Sequence, residues 1–224
     1  MEKEVLKNIL QKAKEGKKRK FSQTIDLIVN LKSLDLKKTK VEFFVDLHHN
    51  KGKKVRICAL VGPELFDQAK KVCDNAIRND DFVNYQKDKK IAKKLAKEYD
   101  LFIAQANIMA PVAAAFGRTF GPLGKMPNPK AGCVVPPNAN LQIVYDRLQK
   151  MVPIKTLKNM VIQVPIGTES QDEEQVIDNI STVLKSMESS LPNHKNNIGK
   201  TYIKLTMGAP VEVSDKWLQT GSLN

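Results

Sequence analysis

Phosphate chemistry is the first possibility raised by a glycine-rich stretch that runs into a lysine, and Gly117-Arg118-Thr119-Phe120-Gly121-Pro122-Leu123-Gly124-Lys125-Met126-Pro127-Asn128-Pro129-Lys130-Ala131-Gly132 is such a stretch. A nucleotide-binding loop needs a glycine five positions before the glycine of its Gly-Lys pair. It also needs a Ser or Thr after the lysine to reach the metal ion. Thr119 and Met126 stand at those places, so the pattern fails. What is left reads as a rigid, cationic surface loop with Arg118, Lys125 and Lys130 facing solvent, suited to a partner's sugar-phosphate backbone or simply capping a sheet. Acid-base chemistry is the second possibility. His48 and His49 close a strand, and Asp46 lies on the same face as His48, the spacing of a base and its orienting group. No Ser or Cys nucleophile is identifiable beside them, and three histidines leave little for a metal. Cys58, Cys73 and Cys133 are spaced too widely for paired thiol ligands and fit buried thiols in a reducing compartment. Two segments remain. Arg19-Lys20-Phe21-Ser22-Gln23-Thr24 mixes cations, an aromatic ring and hydroxyls, the set that holds phosphates, stacks on bases and reads a 2′-hydroxyl; its alternative is a helix-to-strand turn with a buried Phe21. Lys204-Leu205-Thr206-Met207-Gly208-Ala209-Pro210 is a strand exit with a glycine, either ordinary or open to close approach by a ligand.

Apolar periodicity defines the elements that must position these residues. Ile25, Leu27, Val29 and Leu31 alternate as in a half-buried strand, and Val41, Phe43, Val45 and Leu47 repeat the pattern, suggesting an antiparallel pair joined by a loose basic loop. Met160, Ile162, Val164 and Ile166 give a third strand, and Ile203, Leu205 and Met207 a fourth. Helical stripes cover residues 3–14 and 171–188, the second opened by a Ser170/Glu173 capping box. Between them the pattern changes. Val55–Gly62 is a buried apolar run followed by a helix over Glu64–Asn75, and a helix over Asp88–Tyr99 leads to the buried run Leu101–Ala104. A third helix begins near Ile108 or Pro111, and Asn140–Met151 closes the set. Strands alternating with helices imply a parallel sheet. The chain therefore reads as an α/β domain at 53–155 inserted into an α+β domain built from 1–52 and 156–224, the latter with four antiparallel strands and two helices. Two chain crossings would join them and permit hinge motion.

Charge supports a polyanionic partner. The 224 residues carry 37 basic and 24 acidic side chains, a net +13, and the surplus is uneven: +9 over residues 1–57, +6 over 58–155 and −2 over 156–224. Its densest runs, Lys17–Lys20, Lys37–Lys40 and Lys51–Lys54, bracket the first two strands and suggest a binding rim. The longest apolar runs fall short of a membrane span, and the first residues lack the pattern of a secretory signal, so a cytoplasmic setting is expected.

Three segments then carry a family resemblance: Lys20-Phe21-Ser22-Gln23-Thr24-Ile25-Asp26-Leu27, Gly121-Pro122-Leu123-Gly124-Lys125-Met126-Pro127-Asn128-Pro129-Lys130, and Thr206-Met207-Gly208. With these the chain resembles, over essentially its whole length, the archaeal and eukaryotic branch of the ribosomal protein L-one family. Bacterial members carry an acidic residue in place of Ser22 and Gln23 and usually Pro-Ser after the glycine, which points to the archaeal side. The resemblance implies a discontinuous RNA-binding domain with an inserted Rossmann-like, three-layer α/β domain that swings relative to it, and it does not imply dinucleotide binding. It implies a non-enzymatic large-subunit protein, monomeric when free, with no cofactor. Its site would bind ribosomal RNA in a mobile stalk near the tRNA exit site, assist release of deacylated tRNA, and bind a similar fold in its own messenger RNA to repress translation. Carried over residue by residue, the expected RNA contacts are Lys20, Phe21, Thr24, Asp26, Lys204, Thr206, Met207 and Gly208. Arg118, Lys125 and Lys130 remain a secondary basic loop. Two readings from other classes stay open beside this one: a nucleotide-dependent enzyme using the inserted domain, against which the failed phosphate loop speaks, and a DNA-binding regulator, for which no recognition-helix motif is evident.

Overall fold

Alternation in the first strand is realised as the sequence demands. In the computed structural model, which describes residues 2–15, 19–34, 41–156 and 159–213, Ile25, Leu27, Val29 and Leu31 are buried and the intervening positions half-buried. The elements in chain order begin with α1 (Glu2–Lys14), β1 (Thr24–Leu31), β2 (Glu42–Asp46), β3 (Ile57–Val61), α2 (Pro63–Val72), β4 (Asn75–Arg78), α3 (Phe82–Lys87), α4 (Lys89–Glu98) and β5 (Leu101–Gln105). They continue with α5 (Met109–Leu123), β6 (Val134–Val135), α6 (Leu141–Lys150), β7 (Met151–Lys155), β8 (Val161–Thr168), α7 (Glu173–Ser190), β9 (Ile198–Leu205) and β10 (Val211–Val213). Lys17, Lys18 and the basic run Lys37–Lys40 lie outside the described residues.

Contacts divide the chain into residues 1–53 with 150–224, and residues 54–149. In the first unit β10, β9, β1 and β8 form an antiparallel sheet in that order. Leu6 and Leu10 of α1 and Val176, Ile180, Val183 and Met187 of α7 share its core with Leu27, Val29, Val164 and Ile203. Each such fully buried aliphatic contributes about 1.5–3 kcal/mol relative to exposure, so the stripes on the two helices suffice to fix the layer. The expected β1–β2 pair does not form. Both edges of β1 are taken, one by β8 and the other by β9, so β2 pairs instead with β7 in a separate two-stranded sheet, Glu42 opposite Lys155 and Asp46 opposite Met151. That pairing draws residues 150–155 into the first unit, and the return crossing falls at 149/150 rather than 155/156. The start of α7 also differs. Asp172, not Ser170, is the N-cap, its carboxylate accepting the Glu174 N–H at 3.4 Å, while Ser170 pairs with the Thr168 hydroxyl at 3.3 Å. An ionised cap is favoured at the positive end of the helix dipole.

The second unit is a parallel sheet ordered β4-β3-β5-β6, with every residue of β3 buried. Helix α5 runs through Gly117, Gly121 and Pro122 and ends only at Gly124, whose left-handed φ of 64° lets its N–H return to Phe120 and Gly121. The front of the expected basic loop is therefore helix. Aromatic packing overrides the breakers: Phe120 stacks on Phe116 with ring centroids at 4.8 Å and lies 4.2 Å from Phe102. Cys58, Cys73 and Cys133 are all buried here as free thiols. Burial pushes the Cys58 thiol up, and raises Cys73 and Cys133 to about 11, so all three are neutral and unreactive at physiological pH.

Candidate nucleic-acid interface

Where β1 begins and β9 ends, three distant segments of the first unit are tied together. The Thr206 N–H donates to the Thr24 carbonyl at 3.0 Å, and the Thr206 hydroxyl both accepts from the Thr24 N–H at 3.2 Å and donates to the Thr24 carbonyl at 3.2 Å. Gln23, only 3% exposed, accepts the Met207 N–H through its side chain at 3.2 Å and the Glu169 N–H through its backbone carbonyl at 2.9 Å. A buried residue whose side-chain and main-chain oxygens each accept a backbone N–H holds its neighbours in one geometry. Held this way, Phe21 and Met207 point outward, 55% and 59% exposed. The buried-Phe21 alternative is thereby overturned. Large apolar side chains on a rigid polar frame form a surface on which bases or riboses can lie.

Gln23 is the residue that motif reading undervalued. Its signal was the phase of β1: counting back from Ile25 by two, position 23 faces inward, where a polar residue calls for partners. Thr206 and Gly208 also take on a different role from the one their motif suggests. Two of the threonine hydroxyl's hydrogen-bonding positions are already committed to Thr24, which leaves it acceptor capacity only towards a ligand. Gly208 donates to the Leu205 carbonyl at 2.9 Å, and a Cβ added there would lie 3.2 Å from the Leu205 Cβ, so the glycine serves the turn itself before any ligand arrives.

Charge frames the edge. Asp26 sits directly across from Lys204 in the β1–β9 ladder. Partial burial raises the Asp26 carboxyl above the ordinary value near 3.8, opposed by the positive charges of Lys204 and Lys53. Arg19, Lys20, Phe21 and Ser22 line an open recess with Glu169 and Ser170, roughly 360 Å³ in volume. The recess holds two cations, one carboxylate and two hydroxyls, a mixture suited to sugar and phosphate rather than to an apolar ligand.

The other expected residues lie elsewhere. In the second unit Arg118 and Lys130 are exposed, but Lys125 is not a free cation: its Nζ donates to the carbonyls of Ala96 at 2.8 Å and Tyr99 at 2.7 Å, capping the C-terminal end of α4. The second unit also offers no phosphate cradle where a doubly wound sheet would place one, at the switch point between β3 and β5. There the Gly62 N–H donates to the side-chain oxygen of the fully buried Gln105 at 2.8 Å, and Gln105 in turn donates to Glu64 in the first turn of α2 at 2.9 Å. An anion would meet a carboxylate and an occupied donor. His48 finds its carboxylate on α7, with Nδ1 2.7 Å from Asp178 and His49 Nε2 3.5 Å from the same oxygen. Asn179 fastens the His49 backbone at 3.1 Å and 3.3 Å, which gives the histidine pair a structural setting. No cluster of metal-ligating side chains and no helix long and apolar enough to cross a membrane occurs among the described residues.

Residues 10–209 match the profile of the Ribosomal protein L1p/L10e family. A protein of Nanoarchaeum equitans named "Large ribosomal subunit protein uL1" is 43% identical over 208 residues, 91% of this chain and 97% of its own length. Proteins of the same name from Methanothermococcus thermolithotrophicus and Methanocaldococcus jannaschii are 37% and 35% identical, covering 92% and 95% of this chain and 97% and 96% of their own.

Proposed function

The chain belongs to the Ribosomal protein L1p/L10e family, and on that footing we propose that it is a non-enzymatic constituent of the large ribosomal subunit that binds ribosomal RNA through the β1–β9 edge. The observation that carries this reading is the outward pair Phe21 and Met207 on a frame clamped by Gln23 and Thr206. Ordering costs are already met in the free protein, so the RNA encounters a fixed surface. Phe21 and Met207 offer apolar area to a base or ribose, Lys20 and Lys204 hold phosphates, and the exposed main chain around Gly208 admits close approach. Asp26 takes a different part. Beside a phosphate its carboxylate repels, so its place is opposite a base N–H or a 2′-hydroxyl, from which it accepts.

In this reading the protein is ribosome-associated in the cytoplasm, forms the mobile stalk near the tRNA exit site and assists release of deacylated tRNA. The same edge accepts a similar fold in its own messenger RNA and represses translation. The free protein is a monomer. Affinity for a structured ribosomal RNA fragment at several salt concentrations tests the site. Phe21→Ala and Met207→Ala are expected to weaken binding by about 1–3 kcal/mol each with little change in salt dependence, whereas Lys20→Ala is expected to lower the slope of log K against log salt by about one unit. Folded Phe21→Ala and Met207→Ala proteins with wild-type affinity would remove this edge from the RNA site.

A further inference from the structure

The +6 of the second unit is concentrated in one place. Residues 54–149 carry 15 basic and 9 acidic side chains, and the five lysines of α4, Lys89, Lys90, Lys93, Lys94 and Lys97, account for all but +1 of the balance. At about 100° per residue these five fall within one arc of about 140°, opposite the buried Ala92, Leu95 and Ala96. All five are exposed, and none has an ion-pair partner among the described residues.

Such an arrangement costs stability. Lysines three and four apart repel along both rows of the arc, and Lys89 and Lys90 lie at the positive end of the helix dipole with only the Asp88 cap against them. Lys125, bonded to the Ala96 and Tyr99 carbonyls, fixes the far end of the helix and adds a sixth positive group there. We propose that this face of α4 is a second docking surface, separate from the β1–β9 edge, for the phosphate backbone of a structured RNA. Rows of lysines about 5–6 Å apart along the helix meet a chain of phosphates without reading sequence. The family favours RNA over DNA as the polyanion. A membrane surface fits less well: an interfacial helix buries an apolar face in lipid, and α4 leaves a single large apolar side chain, Ile91, exposed among the described residues.

The test uses the full chain and a short RNA hairpin of arbitrary sequence. Replacing Lys90, Lys93, Lys94 and Lys97 together with Gln keeps helix propensity and removes the arc. A control replaces four dispersed exposed lysines of the first unit, Lys7, Lys12, Lys155 and Lys185, with Gln, for the same change in net charge. The α4 variant is expected to lose about tenfold or more in affinity at low salt and about two to three units of salt slope, with a melting temperature no lower than wild type because repulsion is relieved. The control should lose markedly less. Repeating the comparison in a Met207→Ala background separates the two surfaces, since the α4 loss should persist there even if the edge proves not to bind RNA. Equal losses in the α4 and control variants overturn the proposal, as does a loss seen only with vesicles of anionic phospholipid.

Discussion

The β1–β9 edge and the α4 face, the two RNA surfaces proposed above, are built by opposite means. At the edge, the first unit gathers residues from three chain segments, buries Gln23 to lock them and leaves two apolar side chains outward. Helix α4 uses one contiguous segment, locks none of its lysine heads and relies on charge. Geometry confers selectivity because a wrong partner leaves groups unpaired, while charge confers reach and tolerance. Sequence counting would have reversed the emphasis, since net charge is the loudest feature of the chain and the clamp is made of nearly neutral residues.

The strongest way to break the comparison is to remove one surface altogether. Joining Lys53 to Lys150 through a short glycine linker excises residues 54–149, and this shortened protein is expected to melt cooperatively and keep most affinity for structured ribosomal RNA while losing the salt-steep component. Excising 53–155 instead deletes β7, leaving β2 without its pairing partner, and is expected to abolish cooperative melting by circular dichroism. Should both excisions behave alike, β7 is not part of the first unit's fold. A smaller effect sharpens the contrast within the edge. Burial favours the protonated form of Asp26 in the folded state, so stability falls as pH rises from about 3.8 through its raised native pKa, and the deficit remains at neutral pH. Asp26→Asn is therefore expected to melt higher than wild type at pH 7, with the difference vanishing in acid, yet to bind RNA more weakly; a lower melting point at pH 7 would contradict this. The smallest effect concerns α5. A Cβ at Gly117 meets nothing within 4 Å, so Gly117→Ala is expected to stabilise the fold by about 0.5–1 kcal/mol through helix propensity alone, as read by chemical denaturation. Destabilisation would mean the helix is not formed there in solution.

Legibility varied with the length of the signal. The strands β1, β8 and β9 and the helices α1 and α7 were readable because several apolar residues in phase outweigh any single exception. Partner choice was not: β2 alternates as cleanly as β1, but periodicity carries no information on which edge is vacant. Four-residue β4 and two-residue β6 are too short to show a period at all. The end of helix α5 is hidden in the sequence because Gly117, Gly121 and Pro122 are local breakers, whereas Phe116 acts through contacts with Phe82 and Tyr85, and Phe120 through Phe102, that only the fold supplies. At the site, Lys20, Phe21, Thr206 and Met207 could be found as a motif. The division of labour among them could not, because hydroxyl and amide side chains do not announce whether they face a ligand or their own backbone.

Val55 and Gln149 exchange two hydrogen bonds, the Val55 N–H donating to the side-chain oxygen at 2.8 Å and the side-chain nitrogen to the Val55 carbonyl at 2.7 Å. This fastener joins the two ends of the inserted unit, its second residue to its last, and its consequence is temporal. During synthesis β1 emerges long before either of its neighbours, β8 and β9, exists. Residues 54–149 are contiguous and can fold meanwhile, and once their ends are buttoned together the chain separating β1 from β8 is shortened, in effect, to the segments 32–54 and 150–160. The entropy of closing so long a loop is thus settled by an earlier, local event. Loss of this fastener, as in Gln149→Ala, is therefore expected to slow folding of the antiparallel sheet more than it lowers its stability, as read by refolding kinetics.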